Sequence, residues 1–175
     1  MTDPLALYAY LVLARDRVMD KAAALTPGQL VQVFPIGLGS VAATLTHTVL
    51  AEWFYIRRIA GEAVPVYKEW PHQYEHPPAL EVIRAFWDEQ RVRTQRVLAG
   101  ERDWGRKISY TALLDEGEKG PAWTITATPG EIFTQLALHE VHHRSQVMAM
   151  MRQLGAPVED LDFSAMTYAR RGEQG

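Results

Sequence analysis

The stretch TPGEIFTQLALHEVHHRSQVMAMMRQLG, residues 128–155, predicts a long helix with two histidines on its buried face. Thr128, Pro129 and Glu131 form the pattern of a capping box with proline in the first turn, and Gly155 marks the end of the helix. The inward stripe consists of Ile132, Leu136, His139, His143, Val147 and Met150 or Met151. Because buried imidazoles require polar partners, this helix predicts a polar site within an apolar core.

Helical periodicity also covers three earlier parts of the chain. We expect a first helix over residues 5–25, a second from the N-cap Ser40 to Gly61, and a third over residues 79–99. The inward positions of the third helix are Leu80, Ile83, Trp87 and Leu98. The segment TPGQ (26–29) predicts one short capped turn, and one more helical turn is expected near Phe163.

A short hairpin is predicted between Arg106 and Thr128, where the residues change character. The segments RKISYTALLD (106–115) and AWTITAT (122–128) are rich in β-branched and aromatic residues, and they flank the turn-prone EGEKG (116–120). The fold class that follows is all-α: an antiparallel four-helix bundle with a short β-hairpin inserted before the last long helix. A chain of 175 residues is expected to form a single domain, residues 1–175.

Composition excludes several classes of function. The chain has no cysteine, which removes disulfides, thiolate ligands and a cysteine nucleophile, so any bound metal depends on His, Asp or Glu. Its 18 basic and 21 acidic residues give a net charge of −3 without a long basic run, so we expect no nucleic-acid partner. Because neither a signal peptide nor a long apolar run is present, we expect a cytoplasmic protein without a membrane partner.

The second predicted helix supplies a third histidine, His47. It shares the expected inward face with Thr44, Ala51 and Phe54. A lone histidine on such a face is more often a hydrogen-bonded core residue, but two histidines four positions apart on one helix favour metal ligation. A divalent metal held by His47, His139 and His143, with one position open, accounts for all three. Zinc or nickel suits three imidazoles best, and iron or manganese is tolerated.

We assign structural roles, rather than roles in catalysis or metal binding, to the other histidines and to the acids named below. His142 is adjacent to a predicted ligand but points about 100° away, so we expect it to support the site or to lie at the surface. His72 and His76 fall in a loop rich in proline and aromatics, and exposed or packing roles are expected for them. The carboxylates expected to be solvated or salt-bridged are Glu52, Asp88 and Glu89.

Three aromatic residues have two open interpretations. Trp53, Tyr110 and Trp123 are expected to form core or dimer contacts, and the alternative is that they line the entrance of a pocket. The methionines of the last helix, Met148, Met150 and Met151, are expected to pack in the core.

A zinc metalloprotease is an alternative interpretation of the last helix. His139, Glu140 and His143 match its His-Glu-x-x-His pattern, in which the glutamate is the general base. The rest of the chain does not support it, because no third histidine follows and the downstream glutamates lie in a loop and a polar tail. Such proteases also place a sheet before this helix, whereas this chain is mostly helical. Glu140 is therefore interpreted as a chance match that orients His142 or a neighbouring helix.

These features resemble the DinB/YfiT superfamily. The resemblance rests on His47 in THTVLAEWFYIRRIAG (46–61), on the hairpin segment, on HEVHHRSQVMAMMRQLG (139–155), and on the following Asp160-Leu161-Asp162. It spans nearly the whole chain. One departure is Ser145, which stands where the family usually has glycine and which affects helix packing more than ligation.

The resemblance implies a bundle, often a homodimer, that binds a divalent metal through histidines matching His47, His139 and His143. Members of this superfamily include S-transferases and isomerases that use low-molecular-weight thiols such as mycothiol or bacillithiol, and some hydrolases. It therefore implies a small-molecule substrate and attack by an activated thiol or water on a small electrophile. A non-catalytic bundle whose metal is a structural element or a sensor stays open as the alternative. The sequence assigns no role to Arg144 or Gln146.

Overall fold

The computed structural model describes residues 3–111 and 123–168. Its long helices are α1 (Pro4–Ala22), α3 (Val41–Ile59), α4 (Leu80–Gly100) and α5 (Pro129–Gln153). The short elements are helix α2 (Pro27–Leu30), a 3-10 turn (Tyr67–Glu69), strands β1 (Ile108–Thr111) and β2 (Thr124–Ala127), and helix α6 (Phe163–Thr167). The predicted helical fold with one inserted hairpin is confirmed; the turn segment 116–120 lies outside the described residues.

Side-chain caps set the helix starts that the sequence predicts. The Thr128 hydroxyl accepts a bond from the Glu131 amide at 3.1 Å, and the Glu131 carboxylate accepts from the Thr128 amide at 2.7 Å, so the capping box of α5 is complete. Ser40 caps α3 in the predicted way, accepting from the Ala43 amide at 3.1 Å. These caps fix where α3 and α5 begin and thus which faces they bury.

The first helix ends three residues earlier than predicted, at Ala22 rather than at residue 25. The next residues tighten into a turn, in which the Leu25 amide donates to the Ala22 carbonyl at 3.0 Å. Leu25 is buried by this turn. The sequence pattern extended the helix to Leu25 because a buried residue at this position fits both a helix and a turn that packs on the core.

The four long helices form one bundle around a shared core. Helix α1 packs extensively on α4 and α5, and α3 packs extensively on the same two helices, so α1 and α3 occupy opposite corners. The predicted inward residues of α4, namely Leu80, Ile83, Trp87 and Leu98, are all buried. This arrangement places α3 beside α5, although 69 residues separate the end of the one from the start of the other. None of the described helices combines the length and the apolar character that crossing a membrane requires.

The hairpin covers one end of the α3–α5 pair. Strands β1 and β2 run antiparallel, with Ile108 opposite Ala127 and Thr111 opposite Thr124. Ile108, Tyr110 and Ala127 pack against the core. The hairpin therefore adds a wall to the bundle beside the face where α3 and α5 meet.

Candidate metal centre

The structure brings His47 of α3 together with His139 and His143 of α5. The ring centroids lie 5.0 Å apart for His47 and His139, 4.8 Å for His47 and His143, and 4.4 Å for the two histidines of α5. One ligating atom from each ring lies within 4.8 Å of the others, and the Nε2 atoms of His47 and His139 are 3.1 Å apart. Imidazole nitrogens around one zinc ion sit about 3–3.5 Å apart, given Zn–N bonds of about 2.0–2.1 Å. A small adjustment of one ring would complete the set.

Burial keeps these imidazoles neutral. Desolvation, together with the neighbouring rings, lowers the pKa of His47 to about 4 and that of His139 to about 3. Burial also lowers the pKa of His143. Glu75 acts in the opposite direction on His47 but is the weakest of the influences named for that ring. Near neutral pH the lone pairs are free, so protons do not compete with a metal ion.

Gln146 holds the third histidine in a fixed tautomer. Its carboxamide oxygen lies 2.8 Å from Nδ1 of His143, and its amide nitrogen lies 2.9 Å from Nε2 of His142. An amide oxygen only accepts, so Nδ1 of His143 carries the proton and Nε2 keeps its lone pair for a ligand. His142 is exposed and supports the site through this amide, which agrees with its predicted place outside the ligand set. The sequence signal for Gln146 was its helical spacing of three and four from the two histidines.

Gly37, in the loop before α3, packs against the same amide. Its φ is +55°, and a Cβ atom built on it would lie 2.5 Å from Oε1 of Gln146. Only glycine fits this close approach without displacing the carboxamide. No sequence pattern predicts this contact, because it joins the loop before α3 to a distant part of the chain in α5.

Glu140 points away from the histidines and into the core. Its carboxylate pairs with Arg15 of α1 at 2.7 Å, and Arg15 also pairs with Glu52 of α3 at 2.5 Å. Glu52 further accepts from the Tyr8 hydroxyl at 2.6 Å and from the Thr94 hydroxyl at 2.5 Å. Glu140 therefore orients a neighbouring helix, and it does not occupy the general-base position of a metalloprotease. Glu52 is salt-bridged, which is one of the two roles expected for it.

The other sequence candidates lie outside the centre. His72 packs edge-on against Phe86 with centroids 5.2 Å apart, and His76 is exposed. Asp88 and Glu89 are exposed on α4. These positions agree with the packing and solvated roles expected for them.

A cavity of about 430 Å³ opens beside the three histidines, and His47 forms part of its wall. Its aromatic wall consists of Phe54, Tyr55, Tyr67, Trp70, Tyr74 and Tyr110. Tyr110 lines this pocket and also packs against the core, Trp53 is buried, and Trp123 is 66% exposed. Core packing therefore holds for Trp53 and Tyr110, the pocket interpretation holds for Tyr110, and dimer contacts stay a prediction. A larger cavity of about 530 Å³ lies between α1, α5 and the segment before α6, and it contains none of the three histidines.

Among the described residues, these three histidines are the one group of side chains placed to hold a metal ion. Comparison with curated proteins finds no match to this sequence. The model of the DinB family, by contrast, matches residues 1–174. A match of that extent, over a helical bundle whose histidines meet as described, shows that the chain belongs to the DinB family.

Proposed function

We propose that the protein binds one divalent metal ion through His47, His139 and His143 and uses it to activate a low-molecular-weight thiol or a water molecule. The activated group attacks a small electrophile, in a transferase-like or hydrolase-like reaction. Zinc or nickel fits the donor set best. The observation that carries this proposal is the convergence of three neutral imidazoles beside a cavity of about 430 Å³.

An open coordination position follows from the number of ligands. Structural zinc normally has four protein ligands, whereas catalytic zinc keeps three and an exchangeable position. In residues 3–111 and 123–168, the cluster contains three histidines and no carboxylate. The negative charge of Glu75 acts to raise the pKa of His47, but this carboxylate already accepts a hydrogen bond from the Tyr67 hydroxyl at 2.5 Å. The arrangement thus supports a reactive site over a closed structural one.

Protein groups around the cluster prepare the ligands. Burial holds the rings of His47 and His139 in the neutral form, and Gln146 directs Nε2 of His143 toward the centre. When bound, a divalent ion would lower the pKa of a coordinated water toward about 7 or favour the thiolate form of a thiol. The cavity beside His47 gives a small electrophile access to that position.

Metal analysis of matched variants tests the ligand set. We expect about one metal ion per chain in the wild type and close to none in His139→Ala, because loss of a ligand weakens metal binding by more than the about 10–100-fold that is lost with a residue supporting a ligand. His76→Ala is the matched control, since it removes an exposed imidazole that lies outside the cluster. Full metal content in His139→Ala would contradict the proposal.

Cobalt substitution then separates a reactive centre from a structural one. We expect the visible spectrum of the Co²⁺-loaded protein to change on addition of a small thiol, and panels of thiols and electrophiles to give turnover. A spectrum insensitive to thiols, with no turnover, would favour the non-catalytic alternative. Homodimer formation is a separate proposal from the family resemblance, and light scattering of the purified protein tests it.

A further inference from the structure

The cavity beside the histidines has walls made largely of aromatic rings. Tyr74 packs edge-on against His47 with centroids 5.3 Å apart, and Tyr55 packs against His139 at 6.0 Å. The wall therefore reaches the ligand cluster itself. A molecule bound at the metal would extend directly between these rings.

The polar ends of two wall residues are already occupied by protein partners. The Trp70 indole nitrogen donates to the Pro65 carbonyl at 3.0 Å. The Tyr67 hydroxyl donates to Glu75 at 2.5 Å and accepts from the Tyr74 amide at 3.1 Å. These two side chains thus offer the cavity their carbon surfaces rather than hydrogen bonds, which suits an apolar ligand group.

Among the residues that the structure describes, the cavity lining includes no Lys, Arg, Asp or Glu. Arg58 lies beside this wall, with its guanidinium over the Tyr110 ring at 4.2 Å and the Phe54 ring at 5.1 Å. A cationic ligand would compete with Arg58 for the ring electrons and would be repelled by its charge. An anionic group would find no lysine or arginine to pair with in the described lining.

From these contacts we infer that the cavity is the subsite for a flat, uncharged ring of the ligand, whose polar head reaches the metal position at the three histidines. The volume of about 430 Å³ lies within the usual range for small-molecule sites and accommodates an aromatic ring with its substituents. Trp70 contacts two other rings of the wall, with centroid distances of 5.5 Å to Phe54 and, edge-on, 5.2 Å to Tyr67, so it is the central element of the wall. This inference rests on the proposed function for the position of the head group.

Paired hydroxamates test the subsite on the Co²⁺-loaded protein. Acetohydroxamate and benzohydroxamate share the metal-binding head, and only the second carries a ring. We expect benzohydroxamate to bind about 10–100-fold more tightly in the wild type, in keeping with burial of an aromatic ring. Trp70→Ala is expected to lose most of that ratio while acetohydroxamate affinity stays unchanged.

Trp123→Ala is the matched control, because Trp123 is 66% exposed and lies outside the cavity lining. It is expected to keep the wild-type ratio. Trp70→Leu retains an apolar side chain and so controls for unfolding of the loop that carries Trp70. It is expected to give an intermediate ratio of the two affinities. An unchanged ratio in Trp70→Ala would overturn the inference, and so would tighter binding of a trimethylammonium hydroxamate than of benzohydroxamate.

A metal-free titration distinguishes failure of this subsite from failure of the metal proposal. If acetohydroxamate does not bind the Co²⁺-loaded protein, the open position is wrong. Benzamide is then followed by ligand-observed NMR on the metal-free protein. Binding that is lost in Trp70→Ala would support the ring subsite by itself, whereas no binding in the wild type would overturn it.

Discussion

Neighbouring residues of α5 belong to two very different polar clusters. His139 joins the histidine cluster at the edge of a cavity, and the next residue, Glu140, joins the ion-pair cluster that includes Arg15 and Glu52 in the core. The ion-pair cluster draws side chains from all four long helices, and most of its groups bond to one another. The histidine cluster brings one ring nitrogen from each of three imidazoles within 4.8 Å of the others, and no described carboxylate joins it.

The difference separates polar groups that organise the bundle from polar groups that could hold a metal ion. Buried polar atoms are stable where protein partners satisfy them, as in the ion-pair cluster. A set of neutral imidazoles facing one another gains little from the protein itself, and a cation supplies the missing partner. Perturbing each cluster should therefore change different properties: stability for the one, metal affinity for the other.

The largest effect is expected from Arg15→Met. It removes the cation shared by two buried carboxylates and leaves both without their partner, so the free energy of unfolding should fall by about 3–5 kcal/mol. Urea denaturation of the metal-free protein measures this loss. His47→Leu is the contrasting variant, and its stability without metal should change by less than about 1 kcal/mol, because it deletes a neutral imidazole whose contact with Nε2 of His139 is a single hydrogen bond. Equal losses in the two variants would erase the distinction between the clusters.

A smaller effect, confined to metal affinity, is expected from the support of His143. Gln146→Ala should weaken metal binding about 10–100-fold, and Gly37→Ala about 10-fold, because a Cβ at that position displaces the carboxamide. Gly39 also has a positive φ, of 85°, but a Cβ there meets no atom within 4 Å. Gly39→Ala therefore carries the backbone strain without the contact. Competition titration with a chelating dye compares the metal affinities of the three variants. Equal affinities in Gly37→Ala and Gly39→Ala would contradict the role of Gly37.

The smallest effect is expected from mild acid on the metal-free protein. The folded-state pKa is about 4 for His47 and about 3 for His139, below the value of about 6.5 in an unfolded chain. The unfolded chain then binds more protons, so stability is lost as pH falls from about 6.5 toward those values. Allowing for the partial exposure of both rings, we expect the wild type to lose about 1–2 kcal/mol more than His47→Gln/His139→Gln between about pH 7 and pH 5. Parallel pH dependences in the two proteins would show that the cluster does not titrate as described.

Much of the fold could be predicted because it depends on local signals. The capping boxes at Thr26 and Thr128 and the N-cap Ser40 all form as the sequence indicates. The β-branched character of residues 108–111 and 124–127 likewise identified the hairpin. The end of α1 was misplaced because burial of Leu25 is compatible with more than one backbone conformation.

The candidate site was predictable only where helical spacing encodes proximity. His139 and His143 are one turn apart on a single helix, and the inward face of α3 indicated His47. The contacts of Gly37 with Gln146 and of Glu140 with Arg15 join distant segments, so no local pattern announces them. Of the aromatic wall of the cavity, the sequence indicated Tyr110 alone, as one of two interpretations. The other wall residues were not predicted, since the wall combines α3, the loop after it, β1 and β2.

The packing of α3 against α5, which lies far along the chain, has a consequence for biosynthesis. Helix α3 emerges from the ribosome long before its neighbour α5, and 92 residues separate His47 from His139. A nascent chain that ends within the hairpin holds one histidine of the cluster and lacks the other two. Binding of a metal ion by all three imidazoles would therefore have to follow translation of α5.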